Sequence, residues 1–214
     1  MTLREVFDRL DMAYGPQHWW PGDSPFEIMA GAVLTQNTAW SNVERAIANL
    51  KAAHALSVEA MLVMPVDELA ALIRPAGYFN VKARRLRALL EWIRLKGGVE
   101  ALMEWPDASL RAGLLSVHGV GPETADDMML YAFHRPVFVI DAYTRRILGR
   151  LGLTESKADY EVLRGMIEAE LGPNVPLFNQ FHALIVAHGK EVCRPKPRCG
   201  QCALVSDCPA SVAT

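Results

Sequence analysis

No apolar run in this chain approaches the ~20 residues that span a bilayer core, which excludes a transmembrane helix. The N-terminal stretch MTLREVFDRLD alternates charge with hydrophobe where a secretory signal needs an apolar core, so the protein reads as cytoplasmic. Strand-like alternation is nearly absent, and there is no internal repeat, low-complexity tract or long linker. Surplus charge is missing too. Lysine and arginine number 22 against 24 aspartates and glutamates, a net charge of −2. That balance argues against a general polyanion binder and leaves any nucleic-acid contact to local patches. Cysteine is scarce, and all four copies lie between positions 193 and 208.

What remains is helix. Apolar residues make up 51% and charged residues 21% of the 214 positions, enough to bury a core in one large domain or two small ones. Asp23-Ser24-Pro25 reads as an N-cap with proline in the first turn, opening the apolar helix FEIMAGAVL. Leu86, Leu89, Leu90 and Ile93 recur at helical spacing until Gly97-Gly98 stops them. Leu110, Leu114 and Leu115 form a short face before VHGVGPETADDMM. Ala125, Met128, Met129 and Ala132 form another after it, ending near Arg135-Pro136. Residues 141–151, DAYTRRILGRL, and 158–171, ADYEVLRGMIEAEL, are further helices, and FHALIVAHG stops at its glycine. The fold class is all-α.

His118-Gly119-Val120-Gly121 joins two of these helices tightly. Its glycines can adopt positive φ and admit a close backbone neighbour. Amides of the helix beginning near Pro122 would face outward and favour an anion such as a DNA phosphate. Two patches of positive charge stand out, KARRLR at 82–87 and the RPKPR enclosed by Cys193 and Cys199. The cysteines themselves, C-x5-C-x2-C-x5-C in a cytoplasmic chain, point to a metal site rather than disulfides. By spacing alone, zinc and a [4Fe-4S] cluster stand equally.

LLSVHGVGPETADDMMLYAFHRPVFVIDAYTRRI, GAVLTQNTAW at 31–40, AGYFNVKARRL at 76–86 and the cysteine-rich tail occur together, in one order, over nearly the whole chain. The combination resembles the endonuclease III superfamily of helix-hairpin-helix DNA glycosylases, and within it the branch called 3-methyladenine DNA glycosylase III. The resemblance implies a two-lobed all-α fold with double-stranded DNA between the lobes. A helical barrel domain would span 22–135, and a cluster domain would combine 1–21 with 136–214. Catalysis would fall to Asp141, a carboxylate set against the positive charge that develops on deoxyribose as the base departs. Lyase members carry a lysine two residues after the hairpin's last glycine. Here that position is Glu123, which cannot form a Schiff base, so water is the expected nucleophile and Glu123 modulates at most.

The same resemblance places Trp19, Trp20 and Trp40 in an aromatic pocket for a cationic alkylated purine. Gln36 would help fill the space left by an extruded base. DNA contacts would come from Lys82, His118, Gly119, Val120, Gly121, Arg145, Arg146, Arg194, Lys196 and Arg198. Cys193, Cys199, Cys202 and Cys208 would hold a [4Fe-4S] cluster, with one departure: the family's first gap is six residues, and here it is five. The expectation is a monomeric, monofunctional glycosylase of base excision repair, acting on 3-methyladenine-like lesions in nucleoid DNA. The alternatives are a glycosylase for oxidised pyrimidines or mismatches with a lyase amine elsewhere, and an inactive DNA-binding relative. The absent lysine at 123 opposes the first, and the aspartate at 141 opposes the second.

Overall fold

The computed structural model describes residues 1–155 and 157–211. Among them are twelve α-helices and no strand. In chain order they are α1 (Leu3–Tyr14), α2 (Pro25–Leu34), α3 (Trp40–Ala52), α4 (Val58–Val63), α5 (Val66–Leu72), α6 (Phe79–Leu95), α7 (Val99–Met103), α8 (Asp107–Leu115), α9 (Pro122–Asp127), α10 (Ala142–Arg150), α11 (Tyr160–Leu171) and α12 (Val175–Glu191). No helix is long and apolar enough to cross a membrane. The chain divides into two compact units, one formed by 1–19 with 136–214 and the other by 20–135.

The continuous unit is built around α2. Ser24 caps it, its hydroxyl accepting from the Glu27 amide at 3.2 Å, and Pro25 supplies a preset φ at the first position. Every residue from Glu27 to Leu34 is buried, so α2 is a central helix rather than an amphipathic one. Helices α3, α6 and α9 pack around it. Ala83, Leu86, Leu89, Leu90 and Ile93 form the buried face of α6, which ends where Gly97 and Gly98 take φ of 91° and 95°. The expected single helix after the hairpin is instead α9 followed by a π-helical turn, Met128–Ala132, all five residues of which are buried.

In the discontinuous unit, Thr2 and Glu5 close α1 with a capping box, each side chain accepting from the other's backbone amide. The α12 side chain of Gln180 donates to Asp11 Oδ1 at 2.7 Å and to Gly15 O at 2.9 Å, which ties the N-terminal helix down. Phe138 stands edge-on to Phe178, with centroids 5.5 Å apart, and 5.6 Å from Phe181. Each such buried ring contributes about 1.5–3 kcal/mol. Helix α11 starts two residues later than the sequence pattern suggests, because Asp159 serves as its cap and accepts from the Glu161 amide at 2.8 Å.

Candidate functional site

In the continuous unit the candidate site is the hairpin between α8 and α9. Gly119 has φ of +87°, a conformation that side chains rarely adopt. A Cβ there would lie 2.3 Å from Arg85 Cγ, so the close neighbour is an arginine stem and not backbone. Gly121 differs. Its φ of −93° is open to any residue, and nothing lies within 4 Å of where its Cβ would stand. His118 is exposed, whereas Val120 is buried at 6% exposure.

The two glycines therefore separate in experiment. Gly119→Ala is expected to cost about 2 kcal/mol of stability, through the φ penalty and displacement of Arg85. Gly121→Ala is expected to leave thermal stability within about 0.5 kcal/mol and, if the hairpin is the expected phosphate contact, to weaken DNA binding. Equal melting temperatures for the two variants would contradict this assignment.

Gln36 ties the loop after α2 to the hairpin. Its Nε2 donates to Gly119 O at 3.0 Å and to Thr124 Oγ1 at 2.9 Å, while Oε1 accepts from Arg85 at 2.5 Å. The carboxamide is thus engaged on both ends within its own unit. Lys82 is not at the surface: it is 1% exposed, and its ammonium donates to Leu34 O and Ala76 O, both at 2.8 Å. Burial, and then the charge of Arg85, lowers it to about 8. That placement removes it from the phosphate contacts expected of it.

Trp20 meets Trp40 edge-on, with centroids 5.0 Å apart and planes at 86°, and leans on Tyr131 at 5.3 Å. Gly31 makes room for it, since a Cβ at 31 would lie 3.3 Å from the indole. The two tryptophans wall a cavity of about 380 Å³, completed by Asp23, Glu27, Glu44 and Lys51. Lys51 bridges Asp23 at 2.7 Å and Glu27 at 2.8 Å. Three carboxylates against one ammonium leave the wall net negative. Trp19 falls in the other unit.

In that unit, Asp141 caps α10. Its Oδ1 accepts from Thr144 N at 2.7 Å and from Thr144 Oγ1 at 2.9 Å. Its Oδ2 stands 3.6 Å from His182 Nε2. Asp141 keeps 9% exposure. Burial pushes its carboxyl up, but the His182 ring and the Thr144 amide and hydroxyl outweigh it, so it is held below its usual range. Arg145 and Arg146 are committed to backbone. Arg145 donates to Ala158 O at 2.6 Å, and Arg146 to Cys193 O at 2.8 Å and Gly189 O at 3.0 Å.

The four cysteines, none of them in a disulfide, line one small cavity with Arg150, Val192 and Val205. Arg150 donates to Cys193 Sγ at 3.3 Å and to the carbonyls of Arg194 and Pro195. The Leu204 amide donates to Cys202 Sγ at 3.4 Å. Burial holds His188 down at about 4, a neutral ring at physiological pH. The Tyr14 hydroxyl lies 2.8 Å from its Nδ1 and Cys202 Sγ 3.4 Å from its Nε2, a geometry in which Tyr14 donates to the ring and the ring donates to sulfur. Donors aimed at two of four clustered sulfurs suit thiolates. Among the described residues, no three His, Cys, Asp or Glu side chains converge on a single-ion site. Arg194, Lys196 and Arg198 are exposed on the same loop.

Residues 30–171 match the family described as HhH-GPD superfamily base excision DNA repair protein. The chain belongs to that family. A Methanocaldococcus jannaschii protein named "Putative DNA repair glycosylase MJ1434" is 44% identical over 198 residues, covering 91% of this chain and 90% of that protein. The structure of H. pylori 3-methyladenine DNA glycosylase bound to 1,N6-ethenoadenine matches with a TM-score of 0.77 at 28% identity, over 89% of this chain and 98% of that one. A non-covalent endonuclease III–DNA complex matches in fold, with a TM-score of 0.83 at 21% identity, over 98% of this chain and 96% of that one.

In this HhH-GPD protein the structure adds residues that sequence reasoning passed over. Tyr78 is 72% exposed with φ of 45° and ψ of 31°, a left-handed conformation that an aromatic residue adopts only at a cost. It follows Gly77 and opens α6, so the Gly-Tyr pair ahead of a basic helix was the available signal. Arg85 and Arg150 were hidden among other arginines. The cap from Asp141 to Thr144 was open to reading from DAYTRRI, whereas His182 lies too far along the chain for its approach to Asp141 to be read.

Proposed function

We propose that the protein is a monofunctional DNA glycosylase that hydrolyses the N-glycosidic bond of cationic alkylated purines in double-stranded DNA. The observation that carries this reading is Glu123. It is an exposed carboxylate in the first turn of α9, two residues after Gly121, at the position where the family resemblance places the attacking amine of lyase members. Water is then the nucleophile, oriented by Asp141, whose negative charge offsets the developing sugar cation. The net-negative, indole-walled cavity supports a positively charged base as the preferred leaving group, by charge and cation–π attraction. Trp20 and Trp40 are the aromatic surfaces this cavity offers to a base. Exposed Tyr78 is suited to stack on the bases left behind by extrusion. Of the basic side chains expected at DNA, His118, Arg194, Lys196 and Arg198 are exposed and available to phosphate.

Cys193, Cys199, Cys202 and Cys208 would hold a [4Fe-4S] cluster, which would brace the basic loop without entering the reaction. Arg150 and His188 would supply hydrogen bonds to its thiolates.

Assay of a panel of single-lesion duplexes tests the reading. Release of 3-methyladenine with an intact abasic strand, and no borohydride-trapped adduct, is the expected result. A trapped protein–DNA adduct would overturn the mechanism, and release of oxidised pyrimidines alone would overturn the substrate class.

A further inference from the structure

We infer that His182 is a positioning residue for Asp141, fixing the carboxylate oxygen that the helix cap leaves over. The inference rests on the reading of Asp141 as the carboxylate that meets the sugar cation.

The two oxygens of Asp141 carry unequal duties. Both bonds from Thr144 end on Oδ1. A carboxylate gripped at one oxygen still turns about its last torsion, which is broad for aspartate. Oδ2 faces α12, where His182 Nε2 stands at 3.6 Å. That separation exceeds a hydrogen bond by several tenths of an ångström, and such contacts tighten when a substrate closes the site.

His182 is held in place by its surroundings. It is 4% exposed, and its ring stands edge-on to the fully buried Phe138, with centroids 6.3 Å apart and planes at 87°. Further along the same two helices, α10 and α12 are locked together at Gly189. A Cβ at that position would lie 2.4 Å from Tyr143 Cδ1, and Arg146 donates to its carbonyl. Helix α12 therefore cannot slide along α10 to take His182 away. An N–H at Nε2 then donates to Oδ2, Thr144 donates to Oδ1, and the carboxylate plane is fixed. In this assignment His182 acts through Asp141 and makes no contact with the nucleotide.

The test compares His182→Leu with His182→Gln. Single-turnover release of 3-methyladenine by the leucine variant should fall about 100-fold, the penalty for a small misplacement of a reacting group. Its affinity for duplex containing a tetrahydrofuran abasic analogue should stay within about twofold, since no contact to DNA is lost. Glutamine keeps a donor at similar reach, and should recover most of the rate. An unchanged rate in the leucine variant would overturn the proposal. So would equal loss in both variants, with melting temperatures unchanged. In a nitrogen-edited NMR spectrum, the His182 Nε2–H should give a slowly exchanging resonance that disappears in Asp141→Ala; its persistence there also overturns the proposal. If the wild-type protein releases no base, the catalytic reading of Asp141 falls, and the resonance still decides whether His182 holds the carboxylate.

Discussion

Asp141→Asn is expected to lower base release about 1,000-fold, in the range seen when a group that stabilises transition-state charge is removed. Affinity for abasic-analogue DNA should be kept within about twofold. The substitution is chosen for what it leaves intact. Asparagine is as good an N-cap as aspartate, so its oxygen can still accept from the Thr144 amide that Asp141 accepts from at 2.7 Å. What disappears is the negative charge. Asp141→Ala would confound that loss with the cap, worth about 1 kcal/mol. A second readout follows from linkage. The native carboxyl titrates below its ordinary value of 3.8, so the stability it contributes is fully present above that value and is lost as pH falls through the native one. Acid unfolding of Asp141→Asn should therefore be shallower than that of the wild type across that low-pH window. Residual base release within about tenfold of wild type would remove Asp141 from the chemistry, because an uncharged side chain cannot offset a sugar cation.

The elements legible in sequence are those fixed by local chemistry. Ser24-Pro25 before an apolar run specifies the start of α2, and Gly97-Gly98 specifies the end of α6, because capping and positive φ are properties of the residues themselves. The hairpin was legible as a hairpin, yet its two glycines looked equivalent. Only the fold brings Arg85 under one of them and open space beside the other. Helices α4, α5 and α7 span only five to seven residues and went unread, being too short to display a period. The π-helical turn after α9 also escaped, since nothing in MMLYA distinguishes it from α-helix. Arginines were the least legible of all. Arg145 and Arg146 follow Asp141 as if aimed at phosphate, but their guanidinium groups satisfy carbonyls of their own unit. A long flexible side chain reports its charge in the sequence and its direction only in the fold.

Lys82 sharpens that point, and carries the second large effect. Lys82→Met is expected to cost about 3 kcal/mol, because it strands two buried carbonyls at about 1–3 kcal/mol each. For a chain of this size that lowers the melting midpoint by roughly 6–12 °C. The sequence did hold the clue. Lys82 lies four, seven, eight and eleven residues before Leu86, Leu89, Leu90 and Ile93, which places it on the apolar face of α6 and not among the solvent-facing arginines. Its ammonium closes Leu34 O, at the end of α2, and Ala76 O, in the turn before α6. The pH dependence has a definite sign. The native lysine titrates at about 8 and the ordinary value is 10.5, so between those limits the unfolded chain binds the proton and the native chain has released it. Stability attributable to Lys82 therefore rises with pH across that window. The neutral amine still has two N–H groups for the two carbonyls. The wild type should gain on Lys82→Met as pH climbs from about 8 toward 10.5. DNA binding supplies the counter-test. A phosphate contact would reduce the slope of log affinity against log salt by about 0.9, whereas a buried strut leaves it unchanged. A reduced slope without loss of stability would return Lys82 to the DNA.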